Sequence, residues 1–212
     1  MSSAESEQIE NRRPLASRST AWARFVTGVL IRAGVSPNAI SVISVVFAAA
    51  GAALLIWWPT AVGLIAVAVC VQLRLLCNLF DGMVAIEGKR QSPVGGLYNE
   101  VPDRVADSLF IVPLGYAVGM PWLGWLGALA AAVTAYIRVL GGSLGLAQDF
   151  RGPMAKQHRM AVVTAACVLG AIEQSRWGSQ WALIIAAWII ALGSIVTCGT
   201  RLFAISRALR AR

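Results

Sequence analysis

Three long stretches of the chain contain no charged residue: Ala39 to Leu73, Ser108 to Ile137 and Trp177 to Thr200. A helix crossing the hydrocarbon core of a bilayer needs about 17–25 apolar residues, and a helix satisfies its own backbone where no water can. The first two stretches, with their flanks, are each long enough to cross twice. Trp57-Trp58-Pro59-Thr60 breaks the first and Gly119-Met120-Pro121-Trp122 the second, combining turn formers with tryptophans suited to a membrane interface. With 58% hydrophobic and 13% charged residues, the composition excludes an ordinary soluble domain.

The expected fold is therefore all-α, a polytopic membrane protein with six transmembrane helices near 38–58, 60–84, 100–119, 122–147, 157–174 and 178–205. The fifth has a short uncharged core, Met160 to Ile172, and relies on Arg159 and Arg176 to snorkel. Ahead of these, Thr20 to Gly34 reads as an interfacial helix, with Trp22, Phe25, Val26 and Val29 opposed by Arg24 and Arg32. Residues 1–19, polar and without the apolar core of a signal peptide, read as a flexible cytoplasmic tail, and 20–212 as one membrane domain. The four cysteines fall within apolar helices without metal-ligand spacing and read as packing residues.

Basic residues set the orientation. They collect before the first span, at Lys89 and Arg90, at Arg151, Lys156 and Arg159, and at the C-terminal end, whereas the turns at Pro59 and Pro121 carry none. By the positive-inside rule, both termini and the loop between the second and third spans face the cytoplasm, which places the chain in the cell's inner membrane. The net charge of +8 then points to membrane lipids as partners and not to nucleic acid.

Against this background the segment from Asn78 to Asp107 is dense in polar and charged groups. Asn78, Asp81 and Ala85 recur at i, i+3 and i+7, and Asn99, Asp103 and Asp107 at i, i+4 and i+8, so each set occupies one helix face. Acids on spanning helices face partners, water or a metal, because an ionised group at mid-membrane costs about 2.5–3.5 kcal/mol or more. Asn78, Asp81, Asn99, Asp103 and Glu100 offer hard oxygen ligands, with no His or Cys cluster for zinc, so Mg²⁺ or Mn²⁺ is the expected cofactor. Such ions bind phosphate oxygens, which suggests a phosphate-bearing substrate at the cytoplasmic membrane face.

The run from Asn78 to Asp103 resembles the signature of the CDP-alcohol phosphotransferase family, D-x2-D-G-x2-A-R-x8-G-x3-D-x3-D, with Asp81, Gly82, Ala85, Gly95 and Asp103 in register. Ser36-Pro37-Asn38 resembles the family's N-terminal motif. The resemblance implies that Asn78, Asp81, Asn99 and Asp103 surround the metal and the pyrophosphate of a CDP-linked lipid, CDP-diacylglycerol. It further implies that Gly82 and Ala85 leave room for the nucleotide, and that Asp103 takes the proton from an alcohol acceptor as CMP leaves. Homodimerisation, frequent in the family, is implied in the same way.

Three positions depart from that signature. Asn78 and Asn99 stand where it has aspartates and Ile86 where it has arginine. The loss of two negative charges predicts weaker metal binding, down to a single ion. Glu100 is a candidate to restore one charge, and Arg74, Lys89 or Arg90 to supply the guanidinium. For the acceptor, Arg138 inside the fourth span and Lys156 and Arg159 in the next connection suit an anionic alcohol such as a phosphorylated polyol. Lipid-headgroup anchoring is the other reading of Lys156 and Arg159. A relative without catalysis that binds CDP-lipid is the alternative function, and a small ion-coupled transporter is a third, disfavoured by the lack of an inverted repeat.

Overall fold

Helix-start and helix-stop residues divide the chain where the apolar pattern breaks, and a computed structural model describes residues 20–211. The proposed tail at 1–19 lies outside the described residues. Seven α-helices follow one another: α1 Ala21–Arg32, α2 Pro37–Trp57, α3 Ala61–Glu87, α4 Gly95–Ala117, α5 Pro121–Ser143, α6 Lys156–Trp177 and α7 Trp181–Arg210. Ser36 caps α2 by accepting the Ala39 N–H at 3.2 Å, with Pro37 at the first helical position, and Thr60 caps α3 through Gly63 in the same way. The connection after α6 turns at Gly178, whose φ of 66° is the left-handed conformation typical of a helix C-terminus. There Glu173 accepts from Trp181 N, Ala182 N and Ser179 Oγ at 2.6–2.9 Å, so this acid serves as the cap of α7.

The all-α expectation holds among the described residues. Four helices, α2, α3, α5 and α7, are long and apolar enough to cross a membrane. The other two large helices, α4 and α6, have 23 and 22 residues and carry charges along their inner turns. The fourth expected segment stops at Ser143 and not at 147, because Gly145 takes a positive φ of 75° and turns the chain. Helix α4 begins five residues earlier than expected, at Gly95.

Helix α2 packs on α3 and α4, α3 on α6, α4 on α5, and α5 and α6 on α7, while α1 lies against α3. Their shared core includes Val67, Phe110, Leu114, Leu123, Met160, Cys167 and Ile190. Large apolar side chains such as Val46, Val69, Leu129 and Leu169 point outward, as lipid-facing residues do. Gln174 donates to Pro59 O at 2.9 Å, which puts the turns after α2 and after α6 at one end, together with exposed Trp57 and Trp177. The polar site occupies the opposite end.

Small residues let α4 and α5 approach closely. A Cβ on Gly124 would lie 2.6 Å from Val112 O and 3.0 Å from Gly115 Cα, contacts with backbone that cannot rotate away. Gly124→Ala is therefore expected to destabilise the protein by about 1–3 kcal/mol, the usual cost of overpacking. A lower thermal unfolding midpoint in detergent checks this; an unchanged midpoint would show that the helices can separate freely.

Candidate active site

The polar face of α3 presents Arg74, Asn78 and Asp81 on successive turns, and that of α4 presents Asn99, Asp103 and Asp107. The two faces meet. Asn78 Nδ2 donates to Asp103 Oδ1 at 3.0 Å, and Arg74 Nη2 bridges Asp103 Oδ1 at 3.2 Å and Asp107 Oδ1 at 3.0 Å. Arg74 is fully buried, and Asp81, Asp103 and Asp107 nearly so. Arg74, Asp103 and Asp107 are tolerated this deep because they are paired with opposite charge.

Two further helices complete the charge pattern. From α2, Ser41 Oγ donates to Asp81 Oδ2 at 2.7 Å. From α6, Arg159 binds Asp107 Oδ2 and Met154 O, both at 2.7 Å, while the Lys156 ammonium, one turn earlier, contacts Asp103 Oδ2. Asp107 is thus held between two guanidiniums, and Asp103 between a guanidinium, an amide and an ammonium.

Asn78, Asp81, Asp103, Lys156 and Arg159 line a cavity of about 540 Å³, while Arg74, Asp107 and Ser41 support them from behind. Asn78, Asp81, Gly82, Asn99, Glu100 and Asp103 all border it, so the structure brings the signature positions together; Ala85 and Gly95 do not border it. Basic side chains from α5, α6 and α7 also line it. Arg138 donates to Glu100 Oε1 at 2.5 Å and to Gln148 Oε1 at 2.7 Å, with its guanidinium 5.3 Å from the Phe150 ring centroid. Arg201, from α7, donates to Arg151 O at 2.9 Å and Thr134 O at 2.7 Å.

That last pair fastens the connection between α5 and α6 to α7. Thr197 Oγ1 accepts from Met154 N at 2.9 Å, and Gly152, at φ 118°, passes so close that a Cβ would sit 2.5 Å from the Thr197 methyl. The connection is a built wall of the cavity, and Lys156 and Arg159, in the first turn of α6 that follows it, are turned inward. Lipid-headgroup anchoring does not describe either side chain in this arrangement.

Among the three candidate replacements for the signature arginine, Arg74 alone reaches the acids. Arg90 donates to Ile31 O and Val35 O, at the end of α1, and Lys89 occupies the turn after α3 with φ 51°. Glu100, expected to add charge beside Asn99, is directed to Arg138, because consecutive residues on a helix project about 100° apart. Ser41, Arg201 and Phe150 were not legible as site residues: a serine in an apolar helix and an arginine in the last span were weak signals at best.

The donor set fits a hard divalent cation. Asp81, Asp103, Asn78 and Asn99 border one cavity, and because no group of three His, Cys, Asp or Glu side chains placed to hold a metal occurs among the described residues, an ion there would depend on the amides as well as on carboxylate. Oxygen-only ligands favour Mg²⁺ or Mn²⁺ over softer metals.

No protein-family model matches the chain. Comparison with individual proteins is more informative. Phosphatidylinositol phosphate synthase of Streptomyces avermitilis is 30% identical over 193 residues, covering 84% of this chain and 75% of the relative. Archaetidylinositol phosphate synthase of Aeropyrum pernix is 30% identical over 173 residues, covering 81% and 87%. The fold is shared with Mycobacterium tuberculosis phosphatidylinositol phosphate synthase, solved with manganese and citrate (TM-score 0.74, 22% identity, 86% and 88% covered) and with CDP-DAG bound (TM-score 0.72, 24% identity, 86% and 92% covered). With the signature faces joined across one cavity and 30% identity extending over most of both chains, this protein belongs to the CDP-alcohol phosphotransferase family.

Proposed function

We propose that this chain is the membrane enzyme that moves a phosphatidyl group from CDP-diacylglycerol to a hydroxyl of a phosphorylated polyol, of the inositol phosphate class, with release of CMP. The observation that carries this reading is the Asn78–Asp103 hydrogen bond, which joins the two signature faces at a cavity also lined by Arg138, Lys156, Arg159 and Arg201. The names of the relatives support the acceptor class.

Asp81, with the amide oxygens of Asn78 and Asn99, would hold Mg²⁺ or Mn²⁺, while Asp103 is already engaged by Arg74, Asn78 and Lys156. The ion supplies charge neutralisation for the pyrophosphate and the leaving CMP. Asp103 takes the proton of the attacking hydroxyl, with the Arg74 guanidinium and the Lys156 ammonium against its carboxylate. Arg138, Arg201 and Lys156 supply the positive field for the acceptor's phosphate. Six crossings, with α4 and α6 completed by neighbouring helices, would leave both termini and the cavity on the cytoplasmic side, consistent with the basic residues at that end. A homodimer is the assembly suggested by family likeness.

The test is CMP release by purified protein in nanodiscs, supplied with CDP-diacylglycerol, Mn²⁺ and a panel of polyols with and without phosphate. Turnover restricted to phosphorylated acceptors is expected, and Arg138→Met should raise KM for the acceptor about tenfold to a hundredfold, the worth of a charge-assisted hydrogen bond, with a smaller change in kcat. Absence of CMP release with every acceptor overturns the reading. In that event the amides at 78 and 99 favour a family member that binds CDP-lipid without turning it over.

A further inference from the structure

Each carboxylate of the site differs in how many of its oxygens are already engaged. Asp107 gives one oxygen to Arg74 and the other to Arg159. Asp103 gives Oδ1 to Arg74 and Asn78, and Oδ2 to Lys156, with the Arg104 guanidinium 3.8 Å further round. Asp81 gives Oδ2 to Ser41, an uncharged donor, and no side chain among the described residues donates to its Oδ1. The site therefore contains one acid, Asp81, that faces the cavity with no cation in ion-pair contact, Lys156 acting on it only through space, and one, Asp103, that is neutralised by residues in direct contact.

Two-metal phosphate chemistry places one cation on the attacking side and one on the leaving side of the phosphorus, each needing anionic ligands. Here Asn78 and Asn99 offer neutral oxygens on the same faces, and Asn78 has turned its amide nitrogen toward Asp103. A divalent ion on Asp103 would have to displace an ammonium that is part of α6 and remain a few ångströms from it, where like charges repel strongly in a medium shielded from water. Lys156 can stay in place. It is the first residue of α6, its side chain is one-quarter exposed to the cavity, and α6 is anchored one turn later by Arg159 on Asp107.

We propose that Lys156 is a fixed cation of the reaction site, occupying at Asp103 the place of a second divalent ion, so that this chain loads a single Mg²⁺ or Mn²⁺ on the Asp81 side. The tethered ammonium supplies one positive charge toward the diphosphate, and the departures at 78 and 99 follow from it: with Lys156 present, further acids are not needed to hold a second ion. The identity of the neutralised anion rests on the transferase reading, but the ion count does not require turnover, so the two can fail separately.

Mn²⁺ binding followed by electron paramagnetic resonance on the full chain in nanodiscs, without nucleotide, tests this. Wild type should bind one Mn²⁺ per chain. Lys156→Met, which keeps the side chain's bulk and removes its charge, should expose Asp103 and allow a second Mn²⁺ to bind, at least about tenfold tighter than any second binding to wild type. Should that variant fail to purify folded, Lys156→Gln makes the same comparison. A count of two or of none in wild type, or an unchanged Mn²⁺ titration in a folded Lys156 variant, overturns the proposal. One bound Mn²⁺ in wild type without any CMP release would instead sink the transferase reading.

Discussion

Asp103→Asn should lower kcat for CMP release by about 10²–10⁴-fold, the range a positioned general base contributes. The substitution is nearly isosteric and leaves the hydrogen-bonding outline of the site in place, yet it removes the negative charge that faces both Lys156 and the Asn78 amide. Arg74 remains neutralised by Asp107 at 3.0 Å, so the fold should survive the change. That separation makes the result informative: thermal unfolding close to wild type, together with lost turnover at saturating CDP-diacylglycerol and acceptor, assigns the loss to chemistry. A kcat within tenfold of wild type would show that the proton goes elsewhere.

The largest effect on stability is expected at Arg74. Its side chain is fully buried and supports one oxygen of each of two acids, so Arg74→Met leaves Asp107 Oδ1 without a partner and Asp103 Oδ1 with only the Asn78 amide. Breaking a buried ion pair by removing one partner costs about 3–5 kcal/mol. The low end, about 3 kcal/mol, is expected here, because Lys156 and Arg159 still hold the other oxygens of Asp103 and Asp107 and the Nε and Nη1 of Arg74 make no hydrogen bond that would be lost. Chemical unfolding in mixed micelles measures it. Adding Asp103→Asn to Arg74→Met should recover part of the loss, since the pair shares one electrostatic balance; strictly additive losses would show that Arg74 acts through packing alone.

Much of this arrangement was legible before the helices were assembled. The i, i+3 and i, i+4 spacings placed Asn78 with Asp81 and Asn99 with Asp103 and Asp107, and helical geometry keeps such sets on one face in any packing. Serine, threonine and proline at the helix starts set the boundaries for the same local reason. Where local signals conflicted, the boundaries moved: Gly145 ended α5 early, and α4 began at Gly95, ahead of its expected start. Glu100 shows the limit of adjacency, since being next to Asn99 in the chain rotates it toward Arg138 and away from Asp81.

The choice of ion-pair partners was a different matter. Arg74, Lys89 and Arg90 were equal candidates along the chain, as were the inward and outward readings of Lys156 and Arg159; Ser41 is forty residues from the acid it serves. Local spacing determines which way a side chain leaves its helix, and hydropathy determines that the helix seeks lipid or neighbours, so the amino-acid sequence alone established an all-helical membrane chain with two polar faces. Only the packing of α2, α3, α4 and α6 decided which cation neutralises which acid, because a buried charge must have a partner within a few ångströms and that distance is set between helices, not along them.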